Sequence, residues 1–398
     1  MGISNISMNT KHILLCFWVL LSSCAYGQIA TEKEPLRVAL FTQLYLDSAF
    51  KEDGLYQHDM QMPRYILPGL DFTEGFIMAL DSIKTDYPLE VKIYDIRSES
   101  QTINALETAN AFDSIDLMIG AVSGNEYRQL AEIALQYQIP FLSATFPNDG
   151  GITDNPYTIL LNPTIAVHCQ GIIRYLQKSY PNANHIFLQK GGTQEEKIRR
   201  YYESANVPGN GRKSLNWKVY TAGDSLRTDE LIDLLDSTKQ NIIICGSFDE
   251  KLAVQCLHFM TDLSAYNVQL AGLPNWETLK ELNLPRHKSK TIYYTSAFFN
   301  DGSASFSDFQ KRFLEKTQGK ASDVAYKGYD AAYNFIRLLI KHDINLINQL
   351  NDASFQHLIQ YNIQPVKSTG KKQPDYFENK RIYIIKKSNG VTTKTDKQ

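Results

Sequence analysis

The sequence predicts an α/β protein built from two doubly wound blocks with parallel sheets, and three observations carry that prediction. Two short apolar runs, Asp116 to Gly120 and Ile139 to Ser143, flank a segment with Leu130, Ile133, Ala134 and Tyr137 at i, i+3, i+4 and i+7 spacing. That is the pattern of two buried strands around an amphipathic helix. The same alternation restarts after Asn162 and runs on to Ala271, so that each block can close a sheet of its own. The first block's strands empty into small polar residues, Gly120 to Gly124 and Ser143 to Thr145. Ligands of open parallel sheets sit beyond such carboxyl ends, where hydroxyls and unpaired backbone N–H groups face outward.

The elements follow in order. Leu36 to Phe41 reads as the first strand. The polar, aromatic connection from Thr42 to Pro68 exceeds the usual loop length of about 15 residues and is expected to form part of a ligand-site rim, with Tyr65 entering the crevice. Phe72, Phe76, Ala79, Leu80 and Ile83 share one face of the first helix, with Asp71 near its start where a carboxylate suits the dipole. Leu89 to Asp95 is a strand, and a helix is expected over about 101–112. Turn signals at Pro147 to Gly151 and Asp154 to Pro156 precede a strand over Tyr157 to Leu161. In the second block the strands are His185 to Leu188, Trp217 to Tyr220, Asn241 to Cys245 and Val268 to Ala271, with helices between them and a further strand at Thr291 to Thr295. Phe306 to Leu314 and Tyr329 to Ile336 suggest two long helices. Arg381 to Ile385 is a final apolar run before Ser388-Asn389-Gly390, and 391–398 is expected to fray for want of apolar residues.

With 398 residues and 43% hydrophobic content, the chain can bury two cores. A net charge of −2 argues against nucleic acid or an anionic membrane surface as the main partner. Lys11 and His12 precede an apolar run from Ile13 to Leu21 that suits a signal-peptide core over 1–27 and is too short for a mature span. The protein is therefore expected to be exported. Two processing sites compete. Leu21-Ser22-Ser23-Cys24 resembles a lipoprotein box in which Cys24 would be lipidated and would tie the chain to the envelope membrane, while Ala25-Tyr26-Gly27 suits ordinary signal peptidase. The short spacing from there to Leu36 leaves little tether and favours the free periplasmic form. Beyond the leader, Cys169, Cys245 and Cys256 lie in apolar patterns that suit buried free thiols, with a Cys245 to Cys256 disulfide as the alternative.

The order of these elements resembles the type I periplasmic substrate-binding proteins, in particular the leucine/isoleucine/valine-binding receptors of ABC transporters. The resemblance runs from about Leu36 to Ile385. It is carried by the first strand, the loops at 120–124 and 143–145, the Asn162-Pro163-Thr164 crossing, the Gly272-Leu273-Pro274 turn and the helix start at Tyr326 to Asp330. It implies two α/β lobes joined by three hinge crossings near Leu161, Ser296 and Lys341, lobe 1 being 35–160 with 296–342 and lobe 2 being 161–295 with 343–390. It further implies a small polar ligand, an amino acid or related compound, held between the lobes for uptake or sensing, with an inner-membrane ABC permease as partner. In such proteins lobe 1 grips a carboxylate through loops that match Ser123 and Ser143, Ala144 and Thr145. Lobe 2 supplies a carboxylate for the ammonium soon after the Gly-Pro turn, and here Asn275 stands in that slot. The tyrosine-glycine signature expected after the first lobe 2 strand is replaced by Lys190 to Thr193.

The expected ligand contacts are thus Ser123, Ser143, Ala144 and Thr145 from lobe 1 and Asp249, Asn275 and Trp276 from lobe 2, with Tyr65 on the rim. Each has a plainer role open to it. Ser123 and Thr145 suit helix caps, Asp249 suits a first-turn charge, and Trp276 suits core. No cofactor, metal or catalytic residue is expected. The serine of Gly120 to Gly124 is one place late for a nucleophile elbow, Gly209 to Ser214 lacks phosphate-loop spacing, and no two histidines share a helix face at ligand spacing. A different class remains open, an envelope structural protein that keeps the fold without a transport ligand.

Overall fold

The computed structural model describes residues 34–58, 62–83, 85 and 87–395. The leader, both processing sites and Cys24 lie outside the described residues. Among the described residues no helix is long and apolar enough to cross a membrane.

The apolar runs become the strands of two seven-stranded sheets. In lobe 1, β1 (Leu36–Thr42) pairs in parallel with β2 (Leu89–Asp95) and β3 (Leu117–Gly120), and β4 (Phe141–Ser143) and β5 (Thr158–Leu160) extend the sheet. Lobe 2 repeats the order: β6 (Asn184–Lys190) lies between β7 (Trp217–Ala222) and β8 (Asn241–Cys245), followed by β9 (Val268–Ala271) and β10 (Ile292–Ser296). Both sheets therefore reverse strand order between their first and third strands, the arrangement of doubly wound folds.

Helices cover both faces. In lobe 1, after the one-turn α1 (Leu46–Ala49), α2 (Leu67–Ser82) lies on one face, and α3 (Ile103–Thr108) and α4 (Gly124–Tyr137) on the other. In lobe 2 they are α5 (Ile165–Ser179), α6 (Thr193–Ala205), α7 (Thr228–Ile232) and α8 (Glu250–Asp262). The chain then returns to lobe 1 as α9 (Ala304–Thr317) and α10 (Asp323–His342), which bury Phe306, Phe309, Phe313, Tyr329, Phe335 and Ile336 against α2 and the sheet. The crossing of α2 and α10 is unusually close. A Cβ on Gly75 would stand 2.0 Å from the Ala325 carbonyl oxygen, and one on Gly328 2.1 Å from that of Phe72, so only glycine fits at either place. This contact fixes the first two turns of α10, where Asp323 and Lys327 stand.

Three expectations need correction. The helix expected over 101–112 is shorter, with a 3-10 turn at Glu99–Gln101 and then α3. The stretch after α10 stays with lobe 1: Leu346, Leu350, Leu358, Ile359 and Tyr361 join its core, β11 (Ile363–Val366) and β12 (Tyr376–Asn379) add to its sheet, and β12 pairs in parallel with β5. The third crossing therefore falls at 380–382 instead of near Lys341. Finally, the tail expected to fray over 391–398 forms a strand over Val391–Lys394, its last three residues lying outside the described residues. β13 (Tyr383–Ser388) turns through Asn389 and Gly390, both at positive φ, into β14 (Val391–Lys394), which pairs with it antiparallel. Asn-Gly supplies the backbone twist that a two-residue hairpin turn needs. The three described cysteines, Cys169, Cys245 and Cys256, are buried and unbridged.

Candidate functional site

Three crossing segments run side by side between the lobes, at 161–164, 296–298 and 380–382. The first and third are tied together, for the Thr164 N–H donates to Glu378 (2.9 Å) and the Asn379 amide donates to the Leu161 carbonyl (3.0 Å). Above them opens a cleft of about 840 Å³ bounded by both lobes. Lobe 1 contributes Phe146 to Asp149, Asp323 and Lys327. Lobe 2 contributes Thr164 to Ala166 and His168 from the start of α5, Gln194, Lys197 and Tyr201 from α6, and Phe248, Asn275 and Glu277 from loops. Ser296 to Phe298 and Lys380 line it from the crossings, and Tyr376 and Glu378 from β12. The volume is in the usual range for small-molecule sites.

Four titratable groups of this cleft, Glu277, Asp323, Lys327 and His168, have displaced titrations with identifiable causes. Glu277 opens onto the cleft, yet desolvation by the surrounding walls pushes its carboxyl up to about 7, against a downward pull from the Ser296 hydroxyl. Ser296 Oγ lies 2.7 Å from the Phe298 carbonyl oxygen and 2.9 and 3.0 Å from the two Glu277 oxygens, so its single proton is shared out among these acceptors. Lys327 is partly buried, and desolvation lowers its ammonium pKa while Asp323 and Glu277 draw it back up. Asp323 is itself raised by desolvation. His168 is buried, with desolvation first and the Lys327 charge second holding it down to about 3, so it is neutral. The cleft thus presents Lys327 and Asp323 from lobe 1 and a second carboxyl, Glu277, from lobe 2.

The residues expected from the sequence are brought together only in part. Asn275 lines the cleft and donates to the Phe248 carbonyl (3.3 Å). Trp276 does not face it. It is fully buried in the lobe 2 core, its ring against the Cα of Gly272, where a Cβ would stand 2.1 Å away. The reason is a 3-10 turn over Pro274–Thr278, whose three-residue period sends Trp276, Leu279 and Leu282 inward together and leaves Asn275 and Glu277 outside. Asp249 caps α8 by accepting the Leu252 N–H (2.7 Å) and pairs with Lys190 (2.5 Å), away from the cleft lining. Ser143 and Ala144 are buried beneath the lobe 1 surface, and Thr145 uses its carbonyl to hold the Asn162 amide (2.8 Å). Ser123 is exposed at the N-cap of α4 and makes no capping bond with its side chain. Tyr65 is exposed and packs edge-on against Tyr45 (4.9 Å), and none of the described residues of the long loop lines this cleft.

Sequence reasoning missed Glu277, Asp323, Lys327 and His168. Glu277 lies five residues beyond Gly272, close to where the resemblance calls for a carboxylate. The period-3 apolar pattern of Trp276, Leu279 and Leu282 was the signal that could have placed it.

No protein-family model and no curated protein matches the sequence. Solved structures match in shape. A candidate branched-chain amino acid ABC transporter protein from Rhodospirillum rubrum superposes with TM-score 0.66 at 14% identity, covering 91% of this chain and 100% of the other. A branched-chain amino acid ABC transporter periplasmic ligand-binding protein from Burkholderia xenovorans gives TM-score 0.60 at 13% identity, covering 91% and 92%. An ABC transporter substrate-binding protein from Desulfitobacterium hafniense in complex with Leu gives 0.55 at 15%, covering 91% and 100%. At these identities the likeness speaks for the fold, and with two mostly parallel seven-stranded sheets joined by three crossings, the chain has the two-lobed fold of type I periplasmic binding proteins.

Proposed function

We propose that this is an exported, non-enzymatic binding protein that holds a small zwitterionic molecule of the amino-acid class between its lobes, for ABC-type uptake or sensing through an inner-membrane permease. The observation that carries the reading is the placement of an ammonium group, Lys327, and two carboxyl groups, Asp323 and Glu277, in one open cleft bounded by both lobes. Lys327 supplies the charge for a ligand carboxylate. Glu277 supplies an ammonium acceptor that Asn275, as a neutral amide, does not. The desolvation already imposed on both groups strengthens any charge-assisted hydrogen bond made there. The fold likeness to substrate-binding proteins supports the same reading.

Thermal-shift and calorimetric screening of the mature chain against amino acids, short peptides and cell-wall fragments tests it. A true ligand at about 100 times its dissociation constant stabilises by roughly 2.7 kcal/mol. Flat results across all three classes would favour the envelope scaffold that keeps the fold without a transport ligand.

A further inference from the structure

The histidines distant in sequence meet on lobe 2, far along the chain from the cleft residues of lobe 1. His258 stands on α8, and His287 ends a series of 3-10 turns, Pro274–Thr278, Lys280–Asn283 and Pro285–His287, that also carries Glu281. Buried Leu257, Phe259 and Met260 on the helix and Leu279 and Leu282 on the turns hold the two segments together. The two imidazoles lie nearly parallel, 14° apart with centroids 5.9 Å apart. Both aim Nε2 at one carboxylate oxygen: His258 Nε2 is 2.8 Å and His287 Nε2 3.0 Å from Glu281 Oε1. The three ligand atoms all lie within 4.8 Å of one another.

What occupies the centre of this group shows its chemistry. The Arg286 guanidinium donates to His287 Nε2 (3.2 Å), to His258 Nε2 and to Glu281 Oε1. A guanidinium is donor only and permanently charged, so both imidazoles meet it with an Nε2 lone pair and Glu281 meets it as a carboxylate. The tautomer of His287 is held from behind. Thr261 Oγ1 lies 2.8 Å from the Leu257 carbonyl and 2.7 Å from His287 Nδ1. With its single proton on the helix carbonyl, Thr261 accepts the Nδ1 proton and leaves Nε2 bare. A hydrogen bond on the far nitrogen is the usual support of a metal-binding imidazole. The group is therefore an acceptor-only pocket built around a cation.

We propose that His258, Glu281 and His287 form a binding site for a divalent transition-metal ion of the zinc class, with Arg286 as the cation that fills it when metal is absent. Two imidazoles and a carboxylate are a borderline donor set suited to Zn²⁺ and its first-row neighbours. Zinc bond lengths near 2.0–2.2 Å put tetrahedral ligand atoms roughly 3.3 Å apart, a few tenths of an ångström wider than the present His to Glu distances. Half the Arg286 side chain is already in solvent, at 48% exposure, so it can swing outward and leave the fourth position to water. Bound metal would pin to α8 the segment whose first turn carries Asn275 and Glu277 into the cleft.

The test uses the tag-free mature chain stripped with a chelator and titrated with Zn²⁺, with Co²⁺ as a spectroscopic substitute. The expected result is one equivalent bound, a raised melting temperature and the visible d–d bands of four-coordinate cobalt. His258→Ala and Glu281→Gln should each weaken binding at least 100-fold, and either variant should fold, since the His258 side chain is 39% exposed and glutamine keeps the shape of Glu281. Arg286→Ala separates a metal site from a plain ion-pair network: removing the competing cation should tighten zinc binding several-fold. Zinc ignored by both the wild type and Arg286→Ala overturns the proposal. So does zinc bound equally well by the wild type and the two ligand variants, or binding abolished by Arg286→Ala.

Discussion

Replacing Asp330 by asparagine should remove a pH dependence of stability that the structure builds into α10. Asp330 is fully buried one turn beyond Lys327, and its Oδ1 accepts the Leu358 and Ile359 N–H groups at 2.8 and 3.2 Å. Burial, the larger effect, pushes its carboxyl up to about 7 against the pull of those donors. In the unfolded chain it titrates near the ordinary value of 3.8. Between these values the folded state keeps a proton that the unfolded state has lost. Stability therefore falls as pH rises through this window and levels off above about 7. Each unit corresponds to about 1.36 kcal/mol, so the span from about pH 5.5 to 7 costs the wild type ~2 kcal/mol. Asp330→Asn keeps the Oδ1 acceptor and cannot ionise. In urea unfolding at about pH 5.5 and 8.5, the stability of Asp330→Asn relative to wild type should rise by ~2 kcal/mol at the higher pH. Parallel pH profiles for the two proteins would refute the argument, since other titrating groups are common to both.

Three further outcomes are expected. Glu277 must ionise to accept an ammonium, and its carboxyl sits at about 7. The affinity for an amino-acid ligand should accordingly fall by up to about tenfold per pH unit below that point, and Glu277→Gln should bind more weakly with a flat pH profile; calorimetry showing a flat wild-type profile would exclude Glu277 as the acceptor. Lys327→Met should lose about 1.5–3 kcal/mol of affinity for a carboxylate ligand, read by titration calorimetry, while leaving the melting temperature unchanged or higher, because a desolvated ammonium is removed. Trp276→Ala should destabilise by about 3–5 kcal/mol in denaturant unfolding, as expected of a fully buried ring, and an unchanged midpoint would contradict the core placement.

The parts of the fold that depend on local pattern were legible. Buried parallel strands such as Ile242 to Cys245 and amphipathic helices such as α4 carry their period in the sequence, and the crossings at Leu161 and Ser296 follow from where the alternation restarts. The third crossing was not legible, because Lys341 and Lys380 are both charged residues at element ends, and only pairing of β12 with β5 decides between them. β14 escaped notice for a different reason: all four residues are exposed, so no apolar alternation marks it, and only β-branched Val391, Thr392 and Thr393 after an Asn-Gly turn hint at a strand. At the site, Trp276 read as a ligand contact because a bulky ring after a Gly-Leu-Pro turn is ambiguous until the 3-10 period is noticed. Lys327 and Asp323 were hidden by chain distance. They reach the cleft only because a glycine contact between α2 and α10 sets that helix end, and His258 meets His287 across 29 positions by the same kind of tertiary accident.

The third crossing bears on how the protein is made. β12 and β13 are adjacent in the chain, separated by Lys380 to Ile382, yet one extends the lobe 1 sheet and the other covers β10 in lobe 2. A ribosome that has released the first 375 residues has therefore finished neither lobe: β5 still lacks its outer neighbour, and β10 presents a bare edge. Both sheets are closed by the same last stretch of chain, from Tyr376 to Lys394, within a few seconds of synthesis. Until then neither sheet is complete, so both lobes reach their final packing only after this stretch has emerged. Premature termination anywhere before this stretch would release a product with two unpaired edges, open to aggregation and proteolysis at once.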